Sequence, residues 1–250
     1  MAKTSLKIKL FTVFFYARLI LVTVLFCATA GICFVIILPF RNSDGRRRIW
    51  RTAIKYYGKT VLALSGYPFI KIIYKNLAPE EKEPGVVVMN HRSGSDGFLV
   101  AYFTGGVVQV VNDWPFKLPF LGFFARQGEY FNIRAMTWDE FLAAGTKCIC
   151  DEKFSLVGFP EGTRSGCKEM GPFHGALFRL AQQIKKPLYP VLILGNEKIP
   201  DLNFVVHPGT IRIYKLPAVQ PELFADWTPF KFKNYVRELM QSKMAELENQ

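Results

Sequence analysis

The strongest constraint on this chain is a run of twenty residues without a charge, LILVTVLFCATAGICFVIIL, from Leu19 to Leu38. A helix needs about 20 apolar residues to cross the hydrocarbon core of a bilayer. Leu10 to Tyr16 is also apolar, and Arg18 stands between the two stretches. Pro39, Phe40 and Arg41 follow the run, with no small-residue cleavage site, so a removable signal peptide does not fit. Three readings remain: a membrane-spanning helix, a hairpin bent near Arg18 and Gly31 that enters and leaves one leaflet, or a helix buried in the core. Lys3, Lys7 and Lys9 precede the run, whereas Arg41, Arg46, Arg47, Arg48, Arg51, Lys55 and Lys59 follow it. That bias places the rest of the chain on the cytoplasmic side. From Ile49 to Leu64, apolar residues at helical spacing alternate with Arg51, Lys55 and Lys59, the pattern of a helix lying in the membrane interface, with a plain helix on the domain surface as the alternative. Residues 1–64 therefore read as an anchor with a basic amphipathic helix, and 65–250 as one folded domain. The motifs described below all lie beyond residue 89, so segment 1–40 reads as dispensable for the fold.

The basicity belongs to that anchor. Residues 1–60 hold 11 of the 32 Lys and Arg against Asp44 alone, while the remaining 190 residues are nearly neutral. A nucleic-acid-binding domain needs a basic stripe across its folded surface, and residues 61–250 lack one. The five cysteines form no C-x-x-C pair, which argues against a disulfide framework or a zinc ribbon and for a reducing compartment. No metal site is expected.

Short β-branched runs recur at Val86–Met89, Val107–Val111, Ser155–Phe159, Leu188–Leu194, Phe204–Val206 and Thr210–Tyr214. Helical patterns lie between or after them at Asp96–Phe103, Thr137–Cys150, Ala176–Ile184 and Pro229–Leu247. Thr137 with Glu140 makes a capping box. Such alternation predicts an α/β layered sandwich around a mixed, mostly parallel sheet.

Two turns carry chemistry. Asn90-His91-Arg92-Ser93-Gly94-Ser95-Asp96 follows the Val86–Met89 strand, at the end of an α/β sheet strand where ligands bind. Across a strand–turn–helix junction Asp96 can fold back onto the His91 imidazole, fixing its tautomer and leaving the other nitrogen as a general base. Phe159-Pro160-Glu161-Gly162-Thr163-Arg164-Ser165 follows a second strand and offers a guanidinium and turn amides suited to phosphate. On chemistry alone, a capping Asp and an internal Glu–Arg pair would account for the same residues.

N-H-x-x-x-x-D followed about seventy residues later by F-P-E-G-T-R-S closely resembles the glycerolipid acyltransferases. Gly128-Glu-Tyr-Phe131-Asn-Ile-Arg134 is similar to that family's second block and Tyr189-Pro190-Val191 to its fourth. Lys117-Leu-Pro-Phe-Leu-Gly122 is similar to its lysine-containing loop. The resemblance implies that His91 deprotonates an acceptor hydroxyl, with Asp96 orienting it. It implies that Arg134, Glu161, Gly162, Thr163 and Arg164 hold the acceptor, the arginines facing its phosphate, and that Pro190 shapes the pocket. The chain departs from the family pattern twice: Ile133 stands where Asp is usual, and Phe173-His174-Gly175 replaces Phe-Lys-x-Gly.

The implied activity is transfer of a fatty acyl group from acyl-CoA or acyl carrier protein to the hydroxyl of a lysophospholipid, with 1-acyl-sn-glycerol-3-phosphate the leading acceptor. No bound cofactor is implied, and the partners are membrane lipid, acceptor and acyl thioester. A different lysolipid acceptor, including an amino-acid-containing one, or a catalytically silent lipid-binding protein are the alternatives. The absence of G-x-S-x-G speaks against a nucleophilic serine.

Overall fold

Val86-Val-Val-Met89 is apolar at every position because both faces of its strand are covered. In the computed structural model, which describes residues 5–248, Val86 and Val88 point into one apolar cluster. Val87 and Met89 point into another. Burial on both faces is the mark of a central parallel strand. This strand, β2 (Val86–Met89), lies within a seven-stranded sheet with β1 (Ile70–Asn76), β3 (Val107–Val111), β4 (Phe131–Asn132), β5 (Ser155–Gly158), β6 (Leu188–Leu194) and β7 (Gly209–Lys215). The order is β1-β7-β6-β2-β5-β3-β4. Only β6 and β7 pair antiparallel; the other neighbours are parallel.

That order fixes where a ligand can bind. The chain leaves β2 toward β3 on one side, and leaves β5 toward β6 on the other. Adjacent strands whose outgoing connections diverge open a crevice at their carboxyl ends. The helices that follow take opposite faces of the sheet. α3 (Asp96–Leu99) and the single 3₁₀ turn after it pack beside Val87 and Met89. α7 (Ala176–Ile184) packs beside Val86 and Val88. With α7 lie α6 (Trp138–Thr146), opened by the Thr137–Glu140 capping box, and the long α9 (Pro229–Glu248). Phe232, Val236 and Met240 of α9, four residues apart, are fully buried in that layer. Short helices α4 (Trp114–Lys117), α5 (Pro119–Gln127) and α8 (Pro221–Phe224) complete the fold.

Three features of the N-terminal segment bear on its sequence reading, the first favouring a continuous helix over a bent hairpin. α1 (Leu6–Ile37) runs unbroken through Arg18 and Gly31, about 48 Å at 1.5 Å per residue, so neither residue bends it. The turn comes at Pro39, after which α2 (Ser43–Gly66) runs back antiparallel, with Phe34 against Trp50 and Phe26 against Tyr57. Secondly, α2 does not lie free in an interface. Tyr57, Val61 and Leu62 enter the second cluster, and Arg51 is buried. Arg51 pairs with Glu152 at 2.6 Å and Glu129 at 3.3 Å, and Arg47 pairs with the same two acids at 2.6 and 2.8 Å. Lys55 reaches the Gly105 carbonyl. Thirdly, α1 reaches the core through Phe15, which is 1% exposed. Thr12 and Tyr16 also bond the backbone of Val206 and Phe204. The opposite face of α1, including Leu10, Val13, Leu21 and Val24, is open and apolar. Lys3 lies outside the described residues.

Elsewhere the expected strand at Phe204–Val206 is a loop. Phe204 takes a left-handed conformation (φ 61°), and the turn is held by the Asp201 carboxylate, which accepts from Asn203 and Val205 amides. β1 pairs with β7 over seven residues, although IKIIYKN lacks the unbroken apolar run of the central strands.

Candidate active site

β2, β5, β3 and β4 are parallel, so their carboxyl ends share one edge of the sheet; the first and third motif blocks begin there and the second ends there. His91 leaves β2 and Glu161 leaves β5, the two strands between which the connections diverge.

Asp96 folds back from the first turn of α3, as its spacing suggests. Its carboxylate is fully buried and takes four donors. Oδ2 accepts from His91 Nδ1 (2.7 Å) and from the amides of Arg92 (2.7 Å) and Ser93 (2.9 Å). Oδ1 accepts from Asn196 Nδ2. These donors replace the water that a buried carboxylate loses. An ionised carboxylate only accepts, so Nδ1 carries the proton and Nε2 keeps its lone pair. Nε2 has no hydrogen-bond partner among the described residues, and the side chain is 21% exposed. Phe159 stacks on the ring at 4.5 Å and 26°.

The third block is stitched to the first by its backbone. Ser165 N–H donates to the His91 carbonyl (2.8 Å) and Gly166 N–H to that of Arg92 (3.2 Å). Arg164 is drawn alongside, so close that a Cβ on Gly94 would sit 3.1 Å from its Nη1. Its guanidinium lies 5.5 Å from the Phe204 ring centre, with no acid within salt-bridge distance among the described residues. Glu161 is turned inward. One oxygen accepts the His91 amide (2.7 Å), the other the Gly171 amide (2.8 Å). Burial pushes its carboxyl above the usual carboxylate range, against the two backbone donors. Gly162 has φ 72°, and a Cβ there would meet the His174 ring at 3.1 Å, so the turn is specific to glycine. Thr163 is exposed.

The other expected residues lie further out. Arg134 is exposed, two residues beyond β4, and its strand is two places from β5. At about 4.8 Å per strand it starts some 10 Å from the third block. Asn112 spans part of that gap, donating to the Gly162 carbonyl at 3.3 Å. Pro190 is buried within β6, opposite Val88. Lacking an N–H, it sits between the β6–β7 ladder, which begins at Val191, and the separate Leu188–Val219 bridge. His174 donates its amide to the Pro160 carbonyl, and His207 its amide to that of Lys198. Among the described residues no group of three or more His, Cys, Asp or Glu is placed to hold a metal.

Two neighbours of the site, Asn196 and Asn90, carry no role in the sequence reading. Asn196 follows β6 as His91 follows β2, and the strand-end rule that found His91 would also have found it. Asn90 ties the end of β2 to β6, its amide bonding both the N–H and the carbonyl of Ile193 at 2.7 and 2.9 Å.

The chain is similar in sequence and fold to known acyltransferases. Residues 70–194 match the profile of the family described as Acyltransferase. The chain is 30% identical to a 1-acyl-sn-glycerol-3-phosphate acyltransferase of Saccharomyces cerevisiae, over 93% of this chain and 78% of that one. It is 26% identical to the enzyme of the same name from Limnanthes alba, over 91% of this chain and 78% of that one. The fold superposes on the crystal structure of the 1-acyl-sn-glycerophosphate (LPA) acyltransferase PlsC of Thermotoga maritima. There the TM-score is 0.79 and the identity 20%, over 98% of this chain and 97% of that one. With that match in sequence, the chain belongs to the acyltransferase family.

Proposed function

We propose that the protein transfers a fatty acyl group from an acyl thioester, acyl-CoA or acyl-carrier protein, to the free hydroxyl of 1-acyl-sn-glycerol-3-phosphate, giving phosphatidic acid. The observation that carries the chemistry is the His91 Nδ1–Asp96 bond of 2.7 Å, with Nε2 unpartnered at the crevice. Nε2 takes the acceptor's hydroxyl proton as its oxygen attacks the thioester carbonyl carbon. The C–S bond then breaks, and the imidazolium returns the proton to the leaving thiolate. Asp96 stabilises the imidazolium while it exists. A thioester is already activated, so no covalent enzyme intermediate is needed.

The acceptor's phosphate is assigned to Arg164, which sits beside the catalytic turn without an acidic partner, and to Arg134, reaching in from the sheet edge. The relatives' names support this acceptor. Because α1 is docked along the domain from Phe11 to Phe26, we read it as lying along one leaflet with its open apolar face in lipid. The excess of Arg and Lys after α1 argues for a catalytic domain facing the cytoplasm. The test is turnover of purified protein with a labelled acyl thioester and a panel of lysolipids. Lysophosphatidate should be acylated at least tenfold faster than phosphate-free or amino-acid-containing acceptors, and equal rates on all of them would overturn the assignment.

A further inference from the structure

α9 packs Phe232, Val236 and Met240 into the core, but its flank is polar and faces the segment that follows the third block. Arg237 donates from Nε to the Gly171 carbonyl (2.7 Å) and from Nη2 to the Met170 carbonyl (2.8 Å). Two convergent bonds from a planar guanidinium fix a turn in orientation as well as position. Gly171 passes its own amide to Glu161, which in turn holds the His91 amide. The approach is close: a Cβ on Gly171 would lie 3.2 Å from Glu161 Oε2. An unbroken series of bonds, each between 2.7 and 2.8 Å, thus runs from the middle of α9 to the backbone of His91.

A second contact joins α9 to the same turn. Arg92, next to His91 and 1% exposed, donates to Glu248 near the helix end (2.9 Å) and to the Lys168 carbonyl (2.8 Å). One guanidinium projects from α9 toward the turn and another from the turn toward α9. Neither touches the imidazole or the open side of the crevice.

We infer that Arg237 is a positioning residue for acyl transfer, clamping the Met170–Gly171 turn so that Glu161 holds the His91 backbone in its working place. The inference rests on the acyl-transfer reading above. Its physical basis is the sensitivity of a general base to placement, since a misplacement of about 1 Å costs on the order of 10²-fold in rate.

The experiment compares full-length wild type, Arg237→Met, Arg237→Lys, Glu161→Gln and Arg237→Met/Glu161→Gln, with kcat and both KM values measured in one detergent. Arg237→Met should lower kcat at least tenfold while each KM stays within twofold, because the clamp touches neither substrate. Arg237→Lys keeps one donor and should recover part of the loss. If Arg237 acts through Glu161, the double variant should be no slower than Glu161→Gln within twofold. Hydrogen exchange at the Gly171 and His91 amides should quicken together in Arg237→Met, a readout independent of turnover. A normal kcat, multiplicative losses in the double variant, or unchanged exchange at His91 would each overturn the inference. Should Arg237→Met not fold, Arg237→Lys in the Glu161→Gln background decides by the same comparison. Failure of the acyl-transfer reading is distinct, because wild type would then turn over no acceptor.

Discussion

Asp96→Asn isolates the charge of Asp96 from its shape. In wild type, Oδ2 takes three donors and Oδ1 takes Asn196 Nδ2. An asparagine oxygen placed at the Oδ2 position keeps the first three, including the His91 Nδ1 proton. Its amide nitrogen would then face Asn196 Nδ2, donor against donor. Asn196 resolves this by turning over, because its Oδ1 is buried without a partner and can accept the new N–H. The tautomer is kept, and the loss is the attraction between carboxylate and imidazolium. At about 4 Å between charge centres and an effective dielectric of about 20, that is about 4 kcal/mol. If the proton is about half transferred in the transition state, about 2 kcal/mol is felt. The expected fall in kcat is then between about 30-fold and 10³-fold. His91→Ala removes the base itself and should lose at least as much, about 10²–10⁴-fold. The assay is initial-rate transfer from labelled acyl thioester, with thermal unfolding to confirm that the variant is folded. An Asp96→Asn enzyme within threefold of wild type would refute the electrostatic role of Asp96.

Three further outcomes follow from the geometry. Burial raises Glu161's native titration above its unfolded value, so its contribution to stability is full below the unfolded value and is lost as pH rises through the native one. In thermal unfolding the fall in wild-type stability as pH rises through that titration should be absent from Glu161→Gln, which also loses turnover because its amide nitrogen faces one of the two backbone N–H donors. Phe15→Ala should cost about 3–5 kcal/mol in denaturant unfolding, since Phe15 is fully packed; a cost under 1 kcal/mol would mean that α1 is only an anchor. Arg164→Ala should raise the lysophosphatidate KM about tenfold or more and leave the acyl-thioester KM unchanged, with phosphate-free acceptors little affected.

The central sheet was legible because β2, β5 and β6 are buried on both faces, with β2 and β6 written as largely apolar runs and β5 as Leu-Val between Ser155 and Gly158. The His91–Asp96 pair was legible for a related reason: it follows such a strand. β1 was missed because it lies at the sheet's edge, where IKIIYKN mixes charge with apolar residues. α5 was missed because PFLGFFARQ, with Gly in its first turns, reads as a loop. Gly122 fits there because a Cβ would lie 2.3 Å from the Phe116 carbonyl oxygen, a tertiary reason that local periodicity does not carry. Phe204–Val206 misled in the opposite direction, since its apolar residues serve to receive α1, with Val206 fully buried and bonded to Thr12. The inward turn of Glu161 depends on Gly171, ten residues away along a loop.

The pairing of Arg47 and Arg51 with Glu129 and Glu152 changes how strongly this protein should adsorb to a charged bilayer. Seven basic residues follow the apolar run, and at about 1 kcal/mol each against an anionic surface they would make attachment largely ionic. Two of the seven are neutralised internally, and Lys55 is turned to a backbone carbonyl. The effective valence is therefore nearer five, carried by Arg41, Arg46, Arg48, Lys55 and Lys59, and salt can remove only that portion. What stays at high ionic strength is the apolar outer face of α1 beyond Lys9, so rinsing membranes with concentrated salt should leave most of the protein bound.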